Sequence, residues 1–240
     1  MDSRFQRIGF IAAISVVVLM AAGYMLMRPS PRRATPLALD RDGIDGPPIV
    51  RDGKGRPVIT NIRTVEPGVL YRGSGFPTSF RKPGGGDEYA DRTAFDFLRA
   101  RNVRHVVALV DKPETYYAED GYLRYWSGQT GFPMETTWVQ IDPTNPFGRD
   151  DRGGLRAAGI LIALMRDGVA KGGAVYVHDL DGLSHVGVAA AGYELWRNRG
   201  WNAFDTTWTL VERRFMVGNS AGELRALRSI RNDLRFLIEL

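Results

Sequence analysis

The sequence predicts an α/β fold: a mainly parallel central sheet flanked by helices, preceded by an N-terminal transmembrane helix. Three observations carry that expectation. Strand-like and helix-like patterns alternate from about residue 61 onward. An uncharged run of 20 residues, Ile8 to Met27, lies near the start of the chain. A short apolar run, Ala174-Val175-Tyr176, leads into the loop VHDLDGLSHVG (Val177 to Gly187) and then into an alanine-rich segment.

The run from Ile8 to Met27 is about as long as a helix needs to cross ~30 Å of hydrocarbon. A cleaved signal peptide is the rival. Its apolar region is shorter, ~7–15 residues, whereas here Met25-Leu26-Met27 extends the run past the small residues Ala21-Ala22-Gly23. A retained single-pass anchor over residues 1–27 is the preferred reading. Arginines flank both ends, so orientation is left open, with a lean to an extracytoplasmic domain. Residues 28–60 are rich in Pro, Arg, Asp and Gly and read as a tether, with order allowed at its end. The folded domain is then 61–240.

The net charge of +5 is concentrated at the front, where residues 1–33 hold five Arg and one Asp. The remainder carries 27 basic and 26 acidic residues. A nucleic-acid footprint needs a basic face on the domain itself, so no nucleic acid is expected. The absence of cysteine excludes disulfides, thiolate nucleophiles and cysteine-held zinc.

Within the domain, Val69–Arg72 reads as a strand after the Pro67-Gly68 turn, and Tyr89–Arg101 as a helix. Val103–Val110 is a buried strand, and Glu114–Gly128 a helix weakened by Gly121. Thr136–Ile141 is a strand. Asp151–Asp167 is a helix with Ala157, Ile160, Leu161 and Leu164 on one face. Ala174–Val177 is the next strand. Ser184–Arg197, Phe204–Met216 and Ala221–Leu240 are three helices. Strands alternating with helices imply a largely parallel sheet, and ligands gather at the carboxyl ends of its strands. The Val177–Gly187 loop lies at such an end.

Gly182 and Gly187 allow a tight turn with inward N–H groups, and Ser184 can cap the following helix. With the helix dipole, the backbone could cradle an anion. Asp179 and Asp181 oppose this, because carboxylates repel a phosphate dianion. His178, Asp179, Asp181 and His185 could ligate a metal, but their spacing matches no strong motif. The preferred reading makes His178 a hydrogen-bonded core residue and His185 a helix-start residue facing the cleft, with no metal site. Asp150 and Asp151 read as helix caps and His105 as structural. The aromatics Tyr116, Tyr117, Tyr122, Tyr125 and Trp126 read as core packing.

Two family resemblances meet at this loop. The loop resembles that of the cysteine-dependent tyrosine and dual-specificity phosphatases: His-Cys, five residues, Arg, then Ser or Thr and Gly. His178, Gly182 and Gly187 stand in register with that pattern. Asp179 occupies the Cys position, His185 the Arg position, and Val186 replaces the hydroxyl residue. Ala191, Tyr193 and Gly200-Trp201 are similar to the bacterial branch of that family. So is NIRTVEPGVLYRGS, Asn61 to Ser74. The likeness spans about residues 61–217 and implies a dual-specificity-phosphatase-like fold. It also implies a phosphate-binding loop formed by His178, Asp181, Gly182, Leu183, Ser184 and Gly187, and it suggests Asp142 as general acid. A turn aspartate ahead of Pro143 remains an equal reading of Asp142.

The second resemblance is to the haloacid-dehalogenase-like phosphatases, whose first motif is an apolar strand followed by Asp-x-Asp-Gly. Asp179-Leu180-Asp181-Gly182 matches it locally. That motif normally opens its domain, yet only 58 residues follow Gly182 here.

The first resemblance implies a family mechanism this chain cannot run. Asp179 forms no cysteinyl-phosphate, and His185 lacks the two-pronged guanidinium grip. The expectation is therefore a membrane-anchored pseudophosphatase, a binding or scaffolding module without cofactor. Its partner would be a phosphorylated protein or anionic ligand. The alternative is a Mg²⁺-dependent phosphatase with Asp179 as nucleophile. A further reading is that Asp179 supplies the loop's own anion, accepting the amides that phosphate would use.

Overall fold

The apolar runs VRHVVALV and AVYVHD form the two central strands of the computed structural model, β7 (Val103–Val110) and β9 (Ala174–Asp179). The structure describes residues 49–81, 87–89, 91–141, 152–167, 172–216 and 219–239. β9 pairs in parallel with β7 and with β4 (Leu70–Ser74), and β7 pairs in parallel with β8 (Glu135–Gln140). β3 (Arg63–Glu66) closes the other edge antiparallel to β4, giving the order β3-β4-β9-β7-β8. The sheet is thus mixed. Pro67-Gly68 explains the antiparallel pair. Gly68 takes φ 70° and Val69 N–H donates to the Glu66 carbonyl at 3.0 Å, a turn too tight for a parallel crossover.

Helices cover both faces. On one side lie α1 (Thr93–Ala100) and α2 (Pro113–Thr130), with Phe95, Leu98, Tyr122 and Leu123 packed against Val106 and Tyr176. Pro113 starts α2 at a position where its missing N–H costs nothing, and Gly131 ends it at φ 67°. Gly121 is accommodated without a break.

On the other side lie α3 (Arg152–Asp167), α4 (Ser184–Arg197), α5 (Phe204–Phe215), α6 (Ala221–Ser229) and α7 (Arg231–Glu239). α4 is buried from Ser184 through Trp196. A helix covered on every side needs small residues where neighbours approach. A Cβ on Gly192 would stand 2.5 Å from Ala158 Cβ, and one on Gly187 would stand 2.7 Å from Phe215 Cε2.

Several expectations shift. The tether expected to run to residue 60 gives way earlier to a hairpin of β1 (Ile49–Arg51) and β2 (Pro57–Thr60). Asp52 Oδ1 accepts from the Lys54 and Arg56 amides, both at 2.9 Å, and Ile59 is fully buried. A second small hairpin joins β5 (Ser79–Arg81) to β6 (Asp87–Tyr89), so Tyr89 is a strand residue and α1 begins later. The expected last helix breaks at Ile230, which is fully buried between Leu227 and Leu234. Strand β9 runs two residues further than expected and carries His178 and Asp179.

The aromatic cluster on α2 splits. Tyr122 is core, while Tyr117 and Tyr125 are exposed and Tyr116 stacks on Trp138 with centroids 5.8 Å apart. Among the described residues no helix is long and apolar enough to cross a membrane, and the Ile8–Met27 run lies outside them.

Candidate functional site: the loop after β9

β9 ends in the middle of the sheet, between β4 and β7, so the following loop projects from the carboxyl edge beside the end of β4. Gly182 shapes it. Its φ of +78° is costly for any residue with a side chain, and a Cβ there would lie 2.6 Å from both Gly73 C and Ser74 N. Those atoms are backbone and cannot swing aside. Asn61, in the turn between β2 and β3, fastens the loop from outside by donating Nδ2–H to the Asp181 carbonyl at 2.7 Å.

Asp179 is 2% exposed, and both its oxygens are used by the loop. Oδ1 accepts from Gly182 N–H at 2.6 Å and Oδ2 from Val186 N–H at 3.0 Å. The loop amides thus converge on the chain's own carboxylate. Burial pushes the Asp179 carboxyl up, the two amides pull it down, the Asp181 charge and side chain push it up again, and the result is about 6.

The sign follows from proton binding. The folded chain takes up the Asp179 proton at higher pH than the unfolded chain, so this group costs stability as pH rises from ~4 to ~6. The cost levels off above that at about 3 kcal/mol. Urea unfolding of the parent and of Asp179→Asn across pH 4 to 7 is expected to show the parent losing stability relative to the variant in that window. Parallel curves would refute this origin for the shift.

The other predicted residues have distinct partners. Asp181 is exposed and its Oδ1 accepts from Leu183 N–H at 2.9 Å. Leu183, not Ser184, is the residue preceding α4, and no side chain caps it. Ser184 is the first helical residue, and its hydroxyl instead donates to Glu223 Oε1 at 3.2 Å. His185 is 5% exposed and lies in the first turn of α4. Gly187 packs under Phe215 and over Arg72, whose Nη1 would stand 3.2 Å from an added Cβ. Asp142 lies outside the described residues. Among the described residues no three His, Asp or Glu side chains gather as a metal group.

His178 is fully buried, stacked on Tyr176 with centroids 5.6 Å apart, and its Nε2 stands 3.2 Å from Glu119 Oε2. Burial pulls the imidazole pKa down, but the Glu119 carboxylate outweighs it and the net shift is upward. Glu119 was not anticipated. It lies on the apolar face of α2, three and four residues before Tyr122 and Leu123, and that spacing was its signal. Arg72 was missed as well. It shares a strand face with Leu70 and Ser74 along a wholly buried strand and is 5% exposed.

No family model matches the chain, and no curated protein matches it. Solved structures do. Pseudomonas aeruginosa TpbA is 17% identical, with 81% of this chain and 96% of that one covered and a TM-score of 0.46. PTPMT1 in complex with PI(5)P is 14% identical, with 73% and 97% covered and a TM-score of 0.45. Human DUSP28 is 20% identical, with 80% and 97% covered and a TM-score of 0.39. The solved structures to which this chain is similar are tyrosine and dual-specificity phosphatases.

Proposed function

We propose that this chain is a membrane-anchored, dual-specificity-phosphatase-like protein that works by binding rather than by turnover. The observation that carries the reading is the Asp179 carboxylate, held by Gly182 and Val186 N–H where an anion would otherwise be cradled. Position 179 offers no thiolate, and position 185 offers no guanidinium fork. A nucleophile needs open access to phosphorus, whereas the Asp179 carboxylate is 2% exposed and both its oxygens are turned onto loop amides. The anchor is the run Ile8 to Met27, followed by the proline- and arginine-rich tether. A partner, a phosphorylated protein or another anion-bearing ligand, is then recognised outside the closed loop.

The test is hydrolysis of p-nitrophenyl phosphate in metal-free buffer and with Mg²⁺, together with vanadate binding by calorimetry. The parent chain is expected to give no turnover and no vanadate heat. Asp179→Ala frees the two amides and is expected to gain vanadate binding without turnover. Metal-independent turnover by the parent chain overturns the proposal. Turnover abolished by EDTA and by Asp179→Asn replaces it with the aspartyl-phosphate route.

A further inference from the structure

At the end of α4 remote from the loop, three helices leave a cleft of about 260 Å³ that opens to solvent. That is a little below the ~300–1,000 Å³ of most small-molecule sites, which leaves room for a ring-sized compound. Residues three apart share a helix face, and each segment brings such a pair to the cleft. Leu195 and Asn198 come from the end of α4, Phe204 and Thr207 from the start of α5, and Arg235 and Ile238 from α7.

The floor mixes apolar and polar groups. Leu195 and Ile238 are buried, Asn198 is 2% exposed and Thr207 is 3% exposed. Asn198 Nδ2–H donates to the Glu194 carbonyl at 2.8 Å, which fixes the amide and leaves Oδ1 as its free end. Among the described residues nothing donates to that oxygen, and the Thr207 hydroxyl has no partner either. Neither oxygen is sealed from solvent, and both residues line the cleft. Polar groups placed this deeply are satisfied by whatever enters, water or a ligand.

The rim is short of negative charge. It carries Arg199, Arg235 and Glu239. Arg235 Nε–H donates to Glu239 Oε1 at 3.0 Å, so those two balance one another. Arg199 lies over the Trp196 ring, 4.4 Å from its centroid, and donates Nη1–H to the Trp196 carbonyl at 2.7 Å. It pairs with no carboxylate among the described residues. Partial burial, Arg166 and Arg197 all push its pKa down, as expected where a counter-charge is missing.

We propose that this cleft binds a small organic acid that also carries a hydroxyl. The carboxylate pairs with Arg199. The hydroxyl donates to Asn198 Oδ1 and meets the Thr207 hydroxyl. The carbon frame lies on Leu195, Phe204 and Ile238. The cleft shares no residue with the loop after β9, so the assignment does not depend on how that loop works.

The experiment uses the full-length chain in detergent and three compounds: 4-hydroxybenzoate, benzoate and 4-hydroxybenzyl alcohol. Affinity is read by calorimetry and location by methyl NMR of Leu195 and Ile238. Saturable binding of 4-hydroxybenzoate that shifts both methyl signals is expected. Benzoate, which lacks the hydroxyl, and the alcohol, which lacks the charge, are each expected to bind about tenfold more weakly. Arg199→Gln, on the exposed rim, is expected to erase the advantage of the acid over the alcohol. Thr207→Val is expected to narrow the gap between 4-hydroxybenzoate and benzoate. No saturable binding of 4-hydroxybenzoate, equal affinity for all three compounds, or binding that leaves both methyl signals unmoved overturns the site. So does an Arg199→Gln chain that binds the acid as well as the parent does. If Thr207→Val does not fold, the ranking of the three compounds and Arg199→Gln decide between these outcomes.

Discussion

Gly182→Ala is expected to lower the thermal midpoint by about 10 °C and to free the loop from its carboxylate. Two costs add. The left-handed conformation at φ +78° costs roughly 1–2 kcal/mol for a residue with a Cβ. The new methyl would also stand 2.6 Å from the backbone of Gly73 and Ser74, so either β4 or the loop must move. Movement of the loop strands the Asp179 carboxylate and the Val186 amide, each costing ~1–3 kcal/mol when unpaired. A total of about 3–5 kcal/mol corresponds to ~2–4 °C per kcal/mol in a chain of this size. Differential scanning calorimetry checks the midpoint. Slowed exchange is expected at the Gly182 and Val186 amides of the parent, and fast exchange in the variant. A midpoint within 2 °C of the parent would disprove the constraint.

Glu194→Gln is expected to be as damaging, through electrostatics rather than sterics. Glu194 is 5% exposed and is the nearest carboxylate to Arg214, at 2.9 Å. Burial pushes its pKa up, and Arg214 and Arg72 pull against that rise. Its loss leaves two buried guanidiniums beside a neutral amide, and breaking such a pair from one side costs about 3–5 kcal/mol. The discriminating measurement is a double-mutant cycle by urea unfolding. Glu194→Gln with Arg214→Met should be less damaging than the two single effects summed. Strict additivity would show that the pair carries no coupling.

Much of the scaffold was legible because its signals are local. Val103–Val110 and Ser184–Arg197 were bounded correctly, one by a continuous apolar run, the other by an alanine-rich stretch after a glycine loop. The hairpin at Ile49–Thr60 was harder. Its turn, DGKG, and its flanking pairs Ile49-Val50 and Val58-Ile59 were present, but the surrounding charge and proline read as tether. The break at Ile230 has no glycine or proline to mark it. Leu227, Ile230 and Leu234 are all fully buried at spacings of three and four, the same stripe a continuous helix would present, so the periodicity does not reveal the break.

The site divides in the same way. That Gly182 bends the loop was readable from glycine chemistry. Which atoms satisfy the Asp179 carboxylate depends on a turn only four residues long closing on the first turn of a helix. Arg72 and Glu119 show the limit most clearly. Each is buried, and each meets a partner or charge far along the chain: Glu119 meets His178, and Arg72 feels Glu194 and Asp179 as well as the nearby Arg63.

The fastening of Asn61 to the Asp181 carbonyl has a mechanical consequence. Residue 61 follows directly on the β1–β2 hairpin, the first of the described elements. A tug on the N-terminal side arrives first at that hairpin, held by Ile59 and by the Thr60 amide donating to Ser74 Oγ at 2.9 Å. When those contacts give way, the next load falls on Asn61 and so on the outer wall of the loop. Tension from the N-terminal side and order in the loop therefore share one hydrogen bond.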